Sequence, residues 1–113
     1  MTRDRRVKSR GKYRGKRLGA ISNPAQHEAL RTALWDSRGE LDAAKEANEQ
    51  GDCLSAGQAI DRAWYYLGRA DAHYYGLGKD ATDAEHAAIS GGQRAIRKVD
   101  DVFEATCICK KPE

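Results

Sequence analysis

The chain has 113 residues, a mean hydropathy of −0.81, and twenty Lys and Arg against seventeen Asp and Glu, for a net charge of +3. That length holds one domain and a tail. No apolar run approaches the roughly 18–20 residues of a membrane span. No hydrophobic stretch follows the charged N-terminus, so neither a membrane anchor nor a secretory signal is expected.

The charge is divided unevenly along the chain. Residues 1–18 (MTRDRRVKSRGKYRGKRL) carry nine bases and one acid, Asp4, a net of +8. Residues 19–113 carry eleven bases and sixteen acids, a net of −5. Between the bases of the first segment stand Gly and Ser, with no apolar period. A stretch of this kind cannot bury enough surface to offset its conformational entropy. Residues 1–19 are therefore expected to form an extended basic arm.

The first helix is expected to open at Ser22-Asn23-Pro24, with Asn23 as N-cap and Pro24 in the first helical position. Leu30, Leu34, Leu41 and Ala44 recur on one face, with Ala33, Ser37 and Ala47 beside them. Gly51-Asp52 stops it. The second helix is expected from Asp52 or Ser55, where Ser55-Ala-Gly-Gln58 fits a capping box. Its stripe is Ala56, Ile60, Ala63, Leu67, Ala70 and Tyr74, and it ends at Gly76-Leu77-Gly78.

The third helix is expected from a second box, Thr82-Asp-Ala-Glu85. Ile89, Gly92, Ile96, Val99, Phe103 and Thr106 follow on one face. Gly91-Gly92 lies inside this helix, where each Gly costs about 1 kcal/mol relative to Ala. A close crossing against alanine faces would offset that cost. Short connections between long amphipathic helices make antiparallel neighbours. The expected fold is all-α: a three-helix antiparallel bundle over 20–109, with a short polar tail at 110–113. The Gly-Asp turn between alanine-rich helices resembles a helical hairpin of the tetratricopeptide kind, although no second copy recurs at that repeat's period.

The arm carries the strongest chemical signal. Arg3, Arg5, Arg6, Lys8, Arg10, Lys12, Arg14, Lys16 and Arg17 would neutralise phosphates and release counterions, while Tyr13 could stack on a base. No RNA-recognition submotif, zinc-finger spacing or leucine zipper accompanies them, so contacts would read backbone charge and not sequence. Trp64, Tyr65 and Arg69 are the candidates for a protein-partner surface, since such residues are enriched at interface hot spots.

Cys53, Cys107 and Cys109 do not suggest a disulfide framework. Cys107-Ile-Cys109 is only a weak candidate for a metal site or for a redox or intermolecular disulfide, so no metal and no cofactor is expected. Inert thiols fit a reducing cytoplasm or the inside of a virus or nucleoprotein particle.

His27-Glu28 lacks the second histidine of a zinc protease, Arg31 standing in its place. There is no Walker loop, nucleophile elbow or dinucleotide fingerprint. The expected function is non-enzymatic, namely nucleic-acid association or nucleoprotein assembly through the arm with protein contacts through the bundle. The alternative is a helical interaction module or inhibitor whose arm tethers it to an acidic protein.

Overall fold

A computed structural model describes residues 23–108 of this chain, and the expected basic arm lies outside the described residues. Three α-helices follow one another: α1 (Pro24–Gln50), α2 (Cys53–Leu77) and α3 (Asp83–Phe103). A 3-10 turn, Gly78–Asp80, links α2 to α3, and a widened π turn, Glu104–Ile108, extends α3. No strand occurs among the described residues. The all-α expectation holds.

Each helix end has its own chemistry. Asn23 precedes α1 in the left-handed conformation (φ 61°, ψ 55°), and its side chain makes no capping bond. Its carbonyl instead accepts the amides of Gln26 and His27 at 3.0 and 3.3 Å. Gly51, at φ 74°, closes α1 with its amide on the carbonyls of Ala47 and Asn48, using a backbone region that side chains disfavour.

The N-cap of α2 is Asp52, whose carboxylate accepts the Ser55 amide at 3.2 Å. The expected box starting at Ser55 is therefore not formed. A carboxylate three residues upstream captures that amide first, and the positive end of the helix dipole favours a negative cap. This hydrogen bonding from Ser55 also holds the Asp52 carboxyl below its ordinary value. At α3 the expected box is present. The Glu85 amide donates to the Thr82 hydroxyl at 3.1 Å, and the Thr82 amide donates to Glu85 Oε1 at 2.9 Å.

The predicted stripes form the core. Leu30, Ala33, Leu41 and Ala44 of α1 meet Ile60, Ala63, Leu67 and Ala70 of α2 and Ile89, Ile96 and Val99 of α3. Two polar residues join them from α1, His27 and Ser37. Burying a hydroxyl costs free energy unless it finds a partner. The Ser37 Oγ donates to the Ala63 carbonyl of α2 at 2.8 Å.

Pairings across the helices fix the topology. Glu40 meets Arg62, and Ser37 meets Ala63, so α1 and α2 run antiparallel. Gly57 faces Phe103 and Gly92 faces Leu67, so α2 and α3 are antiparallel too. His27 pairs with Glu85 and Asn48 approaches Val99, which makes α1 and α3 parallel. The arrangement is up-down-up.

The expected close crossing at Gly92 is present. A Cβ placed there would lie 2.9 Å from the Leu67 Cδ1 atom, inside any normal carbon–carbon contact. Gly91 differs, since its Cβ would meet only the end of the Arg94 side chain at 3.8 Å. One expectation for this helix is corrected: Thr106 is exposed and does not extend the stripe. The π widening rotates it outward, and its hydroxyl turns back to donate to the Val102 carbonyl at 2.8 Å.

Candidate functional site

The residues expected to contact nucleic acid, Arg3 through Arg17 with Tyr13, lie outside the described residues. What the structure gives is the body to which they are joined. Residues 23–108 carry nine Lys and Arg against fifteen Asp and Glu, a net of −6. Those charges are largely solvated. Two exposed ion pairs are formed, Arg31 with Glu28 at 2.6 Å and Arg62 with Glu40 at 2.9 Å. Pairs of this kind contribute little to stability. The described segment is thus net negative, and the net-positive stretch precedes it in sequence.

The three candidates for partner contact separate in space. Trp64 is half-buried, one side packing against the hydrophobic core. Tyr65 and Arg69 are exposed on the outer face of α2, one turn apart. An Arg69 guanidinium nitrogen donates to the Tyr65 hydroxyl at 3.3 Å, and its central carbon lies 5.9 Å from the Tyr65 ring centroid. Tyr66 meets the Tyr65 ring edge-on with centroids 5.3 Å apart. The guanidinium is therefore held beside an aromatic face, which lowers the entropy lost when a partner fixes both.

A further exposed aromatic, Trp35, stands on the outer face of α1 with 76% of its surface open to solvent. No neighbour in the sequence marked it as part of a site.

The cysteines require a correction. Cys53, the first residue of α2, and Cys107, in the π turn after α3, are joined by a disulfide with their Cα atoms 5.8 Å apart. They are neither inert thiols nor free metal ligands. The pairing escaped sequence reasoning because 54 positions separate the two residues. Only the antiparallel register of α3 on α2 brings them together. Among the described residues no group of three His, Cys, Asp or Glu side chains is placed to hold a metal ion. Cys109, the other weak metal candidate, lies outside the described residues.

One more pairing was invisible in the sequence. His27 Nδ1 donates to Glu85 Oε2 across 2.5 Å, with both side chains buried. Burial raises the Glu85 carboxyl, but hydrogen bonds from His27 and Thr82 outweigh it and hold the group below its ordinary value. The pair ties the start of α1, where the basic segment enters the fold, to the start of α3. No protein-family description, curated protein or solved structure matches this chain.

Proposed function

We propose that this protein is a non-enzymatic nucleic-acid-associated or nucleoprotein-assembly protein, with the basic segment of residues 1–18 on phosphate and the helical bundle in protein contacts. The observation that carries this reading is the separation of charge, +8 on residues 1–18 beside −6 on residues 23–108. Dense positive charge with intervening Gly and Ser suits a phosphate backbone, whose counterions are released on binding. The negative body repels the same backbone, which confines contact to the arm. Of the two settings that fit, cytoplasm or the inside of a virus or nucleoprotein particle, the Cys53–Cys107 bond favours the particle, away from the cytosolic thiol pool.

A second reading has its own observation. The exposed Tyr65–Arg69 pair on α2 is suited to an acidic or aromatic-accepting protein surface, with the arm as an electrostatic tether. One comparison separates the two readings. Intact protein and protein lacking residues 1–18 are titrated against one labelled oligonucleotide. Loss of binding on deletion supports the first reading. Equal binding by both proteins, or no binding by either, leaves the interaction module.

A further inference from the structure

The outer face of α1 carries two rows of side chains that the bundle leaves unused. The three bases of α1, Arg31, Arg38 and Lys45, stand seven residues apart. Glu28, Trp35 and Asp42 form a second row at the same interval, three positions away. Seven residues are close to two helical turns, so each row runs nearly along the helix axis beside the other. All six residues are exposed, and Trp35 is the most exposed large apolar side chain among the described residues.

Gly39 lies on the same face, one turn beyond Trp35. A Cβ there would meet nothing within 4 Å, so bare backbone faces outward. The face thus presents a large ring and, one turn away, a gap with room for such a ring. The charges narrow the choice of partner. Two bodies of net charge −6 repel unless they meet where bases are concentrated, and three of the nine bases of residues 23–108 stand in this one row.

We propose that this face of α1 binds the same face of a second copy of the chain, the two helices antiparallel about a two-fold axis near Asp36 and Ser37. In that register Arg31 faces the partner's Asp42, and Lys45 faces the partner's Glu28. The same offset lays Trp35 on the partner's Arg38, beside the gap at the partner's Gly39. Each contact occurs twice, as two-fold symmetry requires. A guanidinium on an indole is favourable, and opposite charges paired along the rows fix register and direction. A parallel pair would set each base against its own copy. The Arg31–Glu28 pair within one chain, at 2.6 Å, is exposed, contributes little and yields to the pairs between copies. The proposal rests on the reading above only for the bundle's role in protein contacts, and it makes no use of the arm.

The test is sedimentation equilibrium of the full chain without nucleic acid, from about 1 μM to about 1 mM, a range that covers weak association. The parent is expected to approach twice the monomer mass. Trp35→Ala is expected to weaken association about 30-fold, the loss for a hot-spot residue. Arg31→Glu and Asp42→Arg each set like charges together twice in their own dimers, so each alone should stay monomeric. An equimolar mixture of these two variants restores both opposed pairs and should dimerise. All three positions are exposed, and circular dichroism checks that each variant keeps the parental fold. A parent that is monomeric at every concentration overturns the proposal, as does Trp35→Ala protein that associates like the parent. A mixture no heavier than its components overturns it too. None of these outcomes bears on the arm, which the oligonucleotide titration decides.

Discussion

His27 on α1 and Glu85 on α3 meet at 2.5 Å across 58 positions of sequence, and Glu85 is at the same time the return arm of the Thr82 capping box. One carboxylate thus closes the first turn of α3 and locks that turn to α1. Removing His27 leaves the carboxylate buried with only its Thr82 partner. We expect His27→Ala to lower stability by about 1–3 kcal/mol, the cost of leaving a buried acceptor without its donor. Denaturant unfolding of the two proteins measures it, and a change under about 0.5 kcal/mol, the range of ordinary surface substitutions, contradicts the assignment.

The same pair makes stability depend on pH. The folded Glu85 carboxyl is held below its ordinary value. A carboxylate with a depressed folded pKa stabilises the fold above the unfolded value of about 4.3, and that contribution fades as pH falls through the folded value. Thermal melts from about pH 6 down to about pH 3 should therefore show a falling midpoint. In Glu85→Gln, which cannot ionise, the fall should be shallower. Parallel curves for parent and variant would assign the acid sensitivity to other carboxylates.

Gly91 and Gly92 are expected to respond oppositely to substitution. Gly91→Ala meets only the end of the Arg94 side chain, at an ordinary contact distance, and gains helix propensity, raising stability by up to about 1 kcal/mol. At Gly92 any side chain must displace Leu67, which is buried at the crossing. Gly92→Leu should destabilise by about 1–3 kcal/mol despite the same propensity gain. Melting temperatures of the two variants decide the matter, and a stabilised Gly92→Leu would mean that the helices do not approach there.

The Cys53–Cys107 bond closes a loop with a sequence separation of 54. In the chain-entropy account a loop of that length is worth about 4 kcal/mol, within the usual range for native disulfides. The paired replacement Cys53→Ser with Cys107→Ser should lower the denaturation midpoint, and reductant should lower that of the parent but not of the variant. Proteolytic mapping without reductant should recover the Cys53 and Cys107 peptides cross-linked to one another.

For the arm, replacing Arg5, Arg6, Arg10, Arg14 and Arg17 by alanine should weaken binding to all nucleic-acid sequences alike. If five or six phosphates are neutralised in the parent, its log affinity should fall with log salt at a slope of about −4 to −5. The variant slope should be much flatter. A parental slope near zero would show that phosphate is not the ligand.

The helices were legible because their signals are local. Ala56, Ile60, Ala63, Leu67 and Ala70 repeat at helical spacing, and all five are buried. Thr82 and Glu85 stand three residues apart, which is the whole of a capping box. Asp52 and Ser55 were also read, but as competing starts, and only geometry settles which oxygen takes the amide. His27, Ser37, Cys53 and Cys107 were not legible in their roles. Each acts through a partner on another helix, and such a partner is set by register between elements, which no single-helix period contains.

The parallel course of α1 and α3 has a mechanical outcome. With an odd number of helices, the start of α1 and the end of α3 fall at opposite poles. At ~1.5 Å per residue a 27-residue helix is about 40 Å long. A bundle gripped at its α1 end works as a stiff lever. Tilting that grip by a few degrees swings the Cys53–Cys107 end through several ångströms, and a fluorophore attached there would report how the α1 end is held.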